Sequence, residues 1–500
     1  MKQWILGGVS AAALFAAPDA GWSLTAQQAW EDWKAATESY GQTLTTSGEA
    51  MMDGTLTLSG VTVASKSDDM TVEGTIEEVA LAEQSDGSVR ITMSETIPIV
   101  VSGIDEVGDK VDLTLMLTQD GTQITASDAD GGTAFAVASP TMSAEVTELM
   151  INDEALPMQL VMTLAGLDGS YSTTGAAPGT IESAFTATSF DIVLDMQDPE
   201  GAGTMALKAT AQDIATSTSG QNMDLSNSDD MAKMLAEGFA TSGEGTYGPV
   251  TFTMDLQDEA ETVQASGSLT GGQARFSLDA ERMVYDVAYE GADLTISGSQ
   301  IPMPQVTAKI DRSATTFEIP VQQSDAPAPF ALRVALENLS LGEEIWSMFD
   351  PAAVLPRDPA TLILDLGGKA RWLVDIFDEE AMMAAAMPGE VEEVALNELR
   401  LDLGGAELTG DGAFTFDNSD LTTFDGMPRP EGKANLKLVG GNALLENLTR
   451  MGLIPQEQVM MVRMMTGMFA RPGAGPDELV SEIAIDGSGT LTINGAPLPF

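Results

Sequence analysis

Apolar and hydroxyl residues alternate over most of this chain, in short runs separated by glycine and aspartate. The stretch from Gly404 to Asp417 shows the pattern, with glycine-rich turn residues followed by apolar residues at every second position. Gly54-Thr-Leu-Thr-Leu-Ser-Gly near the start and Gly489-Thr-Leu-Thr-Ile near the end repeat it. Successive side chains of a strand point to opposite faces of a sheet. The pattern therefore predicts antiparallel strands with one apolar face and one hydrated face.

Turn residues between these runs predict hairpins. Ser85-Asp86-Gly87 separates two alternating runs, and Gln119-Asp120-Gly121 separates two more. Asp-Gly pairs between alternating runs are a strong hairpin signal. We therefore expect a mainly β fold: a long twisted antiparallel sheet, built from meanders of hairpins, with a few α-helices packed on its apolar face.

A helix is predicted shortly after residue 23. Thr25 and Gln28 have the spacing of a capping box, in which each side chain caps the other's backbone amide. Trp30 and Trp33 are three residues apart and so share one helical face. We expect both indoles to pack onto the sheet, in preference to forming a ligand platform.

Other helical patterns interrupt the strands, mainly in the last third of the chain. The last helix is predicted to start after Pro455, which suits the first turn, and Asn442 is the predicted cap of the helix before it. These further helices are predicted at Ser228 to Phe239, Glu343 to Met348, Ala370 to Phe377, Glu379 to Met387, Ala443 to Met451 and Gln456 to Phe469.

Residues 1–23 resemble a secretory signal peptide. Lys2 precedes an apolar run from Trp4 to Ala17, which is shorter than the ~20 residues that a spanning helix needs. An uncleaved anchor is the alternative. We expect an exported protein of the periplasm without a transmembrane anchor in its mature chain. The proline-rich stretch from Gln322 to Pro329 predicts a boundary between an N-terminal β-rich domain, residues 24–325, and a C-terminal α+β domain, residues 326–500.

The charge of the chain restricts its partners. Its 76 acidic and 22 basic residues give a formal net charge of −54, and the acids are scattered between apolar positions. Such a field repels nucleic acid and anionic membrane surfaces. The acids are interpreted as the hydrated face of the sheet, and binding of cations or of a basic partner is the alternative.

Cysteine and histidine are both absent. The chain therefore has no disulfide, no thiolate nucleophile, and neither the commonest general base nor the commonest transition-metal ligand. Asp417-Asn-Ser-Asp420 and Asp128-Ala-Asp130-Gly lack the full ligand set of a calcium loop and are interpreted as turns. We expect no catalytic residue, no cofactor and no metal site of the usual kinds, and hence no enzyme.

The last predicted helix is unusually rich in methionine. Methionine fills irregular cores and also adapts to varied apolar ligands. A helix that is apolar nearly all round is usually buried, which makes core packing one interpretation. The other is a wall or lid over an apolar groove that would hold acyl chains. Its candidate ligand contacts are Met461, Met464, Met465, Met468 and Phe469.

The C-terminal Phe500 raises a further alternative, because outer-membrane barrels also end in an aromatic residue. Pro497 and Pro499 suit a terminal strand badly. Barrels also need girdles of aromatic residues, which make up only 5% of this chain. An outer-membrane location is therefore the weaker alternative to the periplasm.

Several motifs resemble an exported alphaproteobacterial family of unknown function, domain-of-unknown-function family 2125. These motifs are Ala29-Trp-Glu-Asp-Trp, Gly238-Phe239, Leu401-Asp-Leu-Gly-Gly-Ala-Glu-Leu-Thr-Gly-Asp-Gly, Pro430-Glu-Gly-Lys, Leu444-Leu-Glu-Asn-Leu and Asn494-Gly-Ala-Pro-Leu. The resemblance would cover nearly the whole mature chain and carries no catalytic signature. More distantly, the C-terminal block is similar to the ends of AsmA-like envelope proteins, which implies an apolar inner sheet face and a link to lipid traffic.

The functional hypothesis is a non-enzymatic periplasmic protein that binds an apolar or lipid ligand or supports cell-envelope assembly. Its partner would be a lipid or another envelope protein. One alternative is a structural or interaction module whose core is fully self-packed, and another is an enzyme that uses serine, aspartate or glutamate alone.

Overall fold

A computed structural model describes residues 24–39, 42–67, 69–105, 108–129, 132–174, 179–198, 201, 203–222, 231–258 and 261–498. Of these residues, 64% lie in strands and 12% in helices, and the strands form large antiparallel sheets. The predicted fold class is therefore confirmed. The chain forms two compact units: the first extends to Ser266 and includes Gly298–Gln300, and the second comprises Gly267–Ser297 and Ile301–Phe500.

The first unit is a run of strands with one helix before them and a second, short helix among them. Its elements in chain order are α1 (Ala26–Ser39), β1 (Thr43–Thr45), β2 (Gly48–Met52), β3 (Thr55–Lys66), β4 (Met70–Glu83), β5 (Val89–Met93), β6 (Thr96–Ile104), β7 (Lys110–Asp120), β8 (Gln123–Ala129), β9 (Gly132–Ile151), β10 (Glu154–Ala155), β11 (Met158–Thr174), β12 (Thr180–Gln197), β13 (Thr204–Gln221), α2 (Met231–Ala236), β14 (Ala240–Tyr247), β15 (Val250–Gln257) and β16 (Thr262–Leu269).

Helix α1 covers the apolar face at the start of this sheet. The capping box is present: the Thr25 amide donates to Gln28 Oε1 at 3.0 Å, and the Gln28 amide donates to Thr25 Oγ1 at 3.2 Å. Trp30 and Trp33 are buried and pack edge to face, with ring centroids 5.4 Å apart. They pack against leucine and valine side chains of β3, β4 and β5. The prediction that both indoles pack onto the sheet is confirmed.

Pairing in the first unit departs from a simple meander. The hairpin at Ser85-Asp86-Gly87 joins β4 to β5 as predicted. The turn predicted at Gln119-Asp120-Gly121 is wrong, because β7 and β8 pair with successive parts of the same strand, β9. The break between them comes at Gly121, with φ of 68°, against the ring of Pro140. Proline has no amide to donate to a sheet, so the ladder is interrupted there and the chain does not reverse.

The second unit carries most of the helices. Its elements in chain order are β17 (Gly271–Leu278), β18 (Arg282–Gly298), β19 (Val306–Pro320), β20 (Ala328–Leu341), α3 (Glu343–Phe349), β21 (Ala360–Trp372), α4 (Glu379–Ala384), β22 (Gly389–Leu403), β23 (Ala406–Asp417), β24 (Arg429–Val439), α5 (Gly441–Arg450), α6 (Gln456–Phe469), β25 (Arg471–Pro472), β26 (Glu478–Ile485), β27 (Leu491–Ile493) and β28 (Ala496–Pro497).

Strands β17 to β24 of the second unit pair in chain order, and β26 then pairs with β24. The hairpin between β22 and β23 turns on Gly404 and Gly405, both with positive φ. A two-residue turn of this hand favours glycine. Gly410, Asp411 and Gly412 lie inside β23. The predicted domain boundary near residue 325 falls between β19 and β20, which pair directly.

The helix predictions for the second unit are confirmed except in one place. Helix α6 spans the predicted Gln456–Phe469, whereas α4 ends at Ala384, earlier than predicted. The helix predicted from Ala370 to Phe377 is wrong: its first residues complete β21, which pairs with β20 and β22. Strand pairing, with both β20 and β22 at Ala370 and with β22 at Arg371, overrides the helix propensity of alanine and arginine.

One predicted helix cap is wrong, and another lies outside the described residues. Helix α5 is capped by the Asp477 carboxylate, which accepts from the amides of Asn442 and Ala443, and not by Asn442 as predicted. The predicted cap Ser228 lies outside the described residues, and α2 is described from Met231. Over the described part of the chain, no helix has the length and apolar character needed to span a membrane.

Candidate functional site: an apolar groove between helix α6 and the sheet

One face of the second unit's sheet carries a continuous row of leucines. The row crosses β20, β21, β22, β23, β24 and β26, because each leucine is the Cα partner of the next. Its members are Leu336, Leu362, Leu401, Leu408, Leu438 and Leu479. Cross-strand neighbours on one face lie about 4.5–5.5 Å apart between Cβ atoms, so the six side chains form one apolar stripe.

Two further apolar rows lie beside this stripe. One contains Leu364, Leu399 and Leu436, and the next contains Leu366 and Leu396. Leu396 and Leu399 are three residues apart and would face opposite sides of a regular strand. The register of β22 shifts between them, against both β21 and β23. This β-bulge keeps both leucines on the apolar face.

Helix α6 lies over one end of this face and leaves a groove of about 440 Å³ beneath it. Nine of the eleven lining residues are apolar. The lining consists of Leu408 from β23, Leu436 and Leu438 from β24, Leu479, Ser481 and Ile483 from β26, and Val462, Met465, Thr466, Phe469 and Ala470 from the α6 segment. Ligand sites in proteins have this character, and their volumes are roughly 300–1,000 Å³.

Polar contacts hold α6 in this position. The guanidinium of Arg463 donates to Asn442 Oδ1 at 3.1 Å and to Glu446 at 2.8 Å, which ties the helix to α5. At the C-terminal end of α6, the carbonyl oxygen of Phe469 accepts bonds from Ser481 and Asn494. The groove therefore lies under a helix that is fixed at its middle and at its end.

The structure separates the five candidate ligand contacts into two groups. Met465 and Phe469 line the groove, whereas Met461, Met464 and Met468 lie outside it on exposed parts of α6. Val459 is the buried residue of this helix, and most of its other apolar side chains are exposed. The interpretation of α6 as a helix buried in the core is therefore wrong.

Sequence reasoning missed the strand side of the groove. Leu408, Leu436, Leu438, Leu479 and Ile483 are each part of an alternating run, so their inward orientation follows from the sequence. Their position under α6 does not, because it depends on which strands the helix crosses. Ser481 interrupts the apolar alternation of β26. This polar residue was the feature of the sequence that could have indicated a contact between β26 and another element.

The opposite face of the same strands carries charged and amide side chains. Arg333 forms an ion pair of 2.7 Å with Asp365, and Asn397 donates to the other oxygen of that carboxylate at 2.9 Å. The bond from Asn397 and the cation beside it hold the pKa of Asp365 below its ordinary value. The same face also buries a small apolar cluster that contains Ala314, Ala335 and Ile363. These charged side chains lie on the face opposite the leucines, as predicted, but part of that face is buried and apolar.

The predicted turn at Asp417 to Asp420 is also present. The Asp420 carboxylate accepts from the backbone amides of Thr422 and Thr423, from the Thr423 hydroxyl, and from Arg429 Nε at 3.1 Å. These bonds, led by that of the Thr423 hydroxyl, lower its pKa to about 2. Within the described ranges, no group of three or more carboxylates is arranged to hold a metal ion. Asp130, part of the other predicted turn, lies outside the described residues.

Fold and groove together define a class: an antiparallel sheet protein with an open apolar face and a helix over part of it. The chain belongs to a family described as "Uncharacterized protein conserved in bacteria (DUF2125)", whose family model matches residues 233–499, more than half of the chain. The match includes every residue that lines the groove and leaves the Ala29-to-Trp33 motif outside. No curated protein and no solved structure matches the chain.

Proposed function

We propose that this chain is a non-enzymatic protein of the periplasm that holds an acyl chain of a lipid in the groove between α6 and the sheet, in support of cell-envelope assembly. The observation that carries the proposal is the groove itself. Side chains from three strands and one helix converge on a space of about 440 Å³, and nine of the eleven are apolar. Only ligands with apolar surface gain from entering such a space.

The energetics favour a hydrocarbon chain over a polar ligand. Each buried methylene contributes about 0.8 kcal/mol when it leaves water. A polar ligand would lose hydrogen bonds to water and find only Thr466 and Ser481 in return, and Ser481 already donates to Phe469. The leucine stripe extends the apolar surface beyond the groove through Leu401 and Leu362, both exposed. A chain longer than the groove would therefore still lie on an apolar surface.

Export and the absence of catalysis rest on the sequence. The apolar run after Lys2 supports secretion, and the lack of cysteine and histidine supports a binding role over an enzymatic one. The distant similarity to AsmA-like envelope proteins supports a lipid as the ligand. The competing proposal is a structural or interaction module with a self-packed core, which the burial of Trp30 and Trp33 between α1 and the sheet favours for the first unit.

Titration of the protein with a fluorescent fatty acid tests the proposal. Two variants place a negative charge on α6, one inside the groove and one outside it. Met465→Glu places a carboxylate in the groove, and Met464→Glu places the same group on the exposed side of the same helix. We expect saturable binding by the wild type, at least tenfold weaker binding by Met465→Glu, and a near-normal affinity for Met464→Glu. Absence of saturable binding, or equal weakening by both variants, would overturn the proposal in favour of the self-packed module.

A further inference from the structure

A second feature of α6 lies outside the groove. Met460, Met461, Met464 and Met468 are 61%, 57%, 67% and 61% exposed, and none of them lines the groove. A side chain this exposed does not fill a gap in the core, which is the usual role of methionine. Packing within the chain therefore does not account for four thioethers on one helix.

Their spacing brings these thioethers together. Met460 precedes Met464 by four residues and Met461 precedes it by three, while Met468 follows it by four. Residues three and four apart on a helix are neighbours, with about 5–6 Å between Cβ atoms. Methionine has three rotatable side-chain bonds, so its sulfur can move several ångströms toward a common point. Three sulfur atoms can thus meet beside Met464 without any change in the backbone.

The chemistry of the chain restricts what could bind there. Thioether sulfur is a soft ligand that selects Cu(I) over hard cations such as magnesium and calcium. The chain has no cysteine and no histidine, so its methionines are its soft side-chain ligands. The nearest cation on the helix, Arg463, is held by Asn442 and Glu446 of α5. A net charge of −54 draws any cation toward the protein.

We propose that Met460, Met461 and Met464, with Met468 one turn further on, form a binding site for a soft monovalent cation of the Cu(I) class. The site is independent of the groove. It uses the sulfur atoms of exposed side chains, whereas the groove uses apolar surface that Met465 and Phe469 supply. Replacement of methionine by leucine removes the sulfur and keeps the apolar character, so it affects the two sites differently.

The test is titration of the full chain with Ag(I), a redox-stable probe of the same class, and with Cu(I) in competition with a chromophoric chelator. The triple variant Met460→Leu, Met461→Leu, Met464→Leu removes the site. The matched control is Met51→Leu, Met52→Leu, Met70→Leu, which removes three exposed methionines from strands. We expect one Ag(I) per wild-type chain, at least tenfold weaker binding by the triple variant, and unchanged binding by the control.

Methyl NMR of ¹³C-methionine provides a second readout. Ag(I) should shift the methyl signals of α6 methionines and leave those of Met51 and Met52 in place. Circular dichroism and fatty-acid binding of the triple variant should match the wild type, since leucine keeps the helix and the groove. The proposal is overturned if the wild type binds Ag(I) no better than the triple variant, or if the control loses as much affinity as the triple variant.

Discussion

Ser481 Oγ donates a hydrogen bond of 2.6 Å to the carbonyl oxygen of Phe469, the last residue of α6. The last carbonyls of a helix have no partner inside the helix and need one elsewhere. Ser481 lies on the apolar face of β26, between Leu479 and Ile483. This polar residue therefore fixes the end of α6 over the groove.

Ser481→Ala should loosen the end of α6. Loss of one such bond costs about 1 kcal/mol of stability. We expect faster amide hydrogen exchange in residues 466–470 and weaker binding of a fatty acid. Ser488→Ala is the control, since it removes a bond of 2.6 Å to Asp486 in a turn. Equal exchange at α6 in both variants would show that Ser481 does not hold the helix.

Gly412 should tolerate no side chain. A Cβ atom built at this position would lie 2.7 Å from the Cβ of Ala434 and 2.8 Å from the carbonyl oxygen of Lys433. Neither atom can move without a backbone shift, and overpacking of this kind costs about 1–3 kcal/mol. We therefore expect Gly412→Ala to lower the free energy of unfolding by that amount, measured by urea denaturation.

Gly467 of α6, unlike Gly412, should tolerate a side chain. It is helical, and a Cβ there would meet no atom within 4 Å. Alanine stabilises a helix relative to glycine by about 1 kcal/mol. Gly467→Ala should therefore slow amide exchange across α6. If Gly467→Ala destabilised the protein as much as Gly412→Ala does, the packing described for both positions would be wrong.

Trp30→Ala should be among the most destabilising changes in the first unit. The indole is fully buried, and its Nε1–H donates to Glu49 at 3.0 Å. Truncation of a buried tryptophan costs about 3–5 kcal/mol. Trp346→Ala is the comparison, because this indole is only half-buried in α3. A similar loss of unfolding free energy in both variants would contradict the full burial of Trp30 in the apolar core of the first unit.

Asp32 should make the first unit less stable as the pH rises. This carboxyl is buried in α1, and burial raises its pKa to about 6 despite a hydrogen bond from Thr133. The unfolded pKa is about 3.9, so the folded state binds this proton more tightly. Stability from this group is present below about pH 4 and is lost between about pH 4 and 6, by at most about 3 kcal/mol.

The measurement for Asp32 is thermal unfolding between pH 4 and 7. Asp32→Asn is the control, since acidification also relieves the general repulsion among the acidic residues, whose net charge is −54. The wild type should lose more stability than Asp32→Asn over this range. Parallel pH profiles for the two proteins would show that folding does not raise the pKa of Asp32.

Local signals predicted much of this fold. The bounds of α6 follow from Pro455 and the apolar run after it, and the capping box of α1 follows from Thr25 and Gln28. The turn at Gly404 and Gly405 and the alternation of β23 follow in the same way. Each depends on residues close together in the chain, where geometry leaves few alternatives.

The features that the sequence did not reveal depend on contacts between residues far apart in the chain. Ala370 to Trp372 extend β21 because all three pair with β22 and Ala370 also pairs with β20, which their helix propensity does not reveal. The cap of α5 comes from Asp477, 35 residues beyond Asn442. In the groove, the sequence indicated Met465 and Phe469 on the helix side. The strand side required the register that aligns Leu408, Leu438 and Leu479.

The most direct test of a lipid-binding groove is native mass spectrometry of the protein, purified from its own cells without detergent, with lipid extraction of the same sample. The account predicts a stoichiometric adduct of acyl-chain mass, which Met465→Glu loses and Met464→Glu keeps. A bare polypeptide mass for the wild type, with no lipid in the extract, would contradict it and support a self-packed structural module.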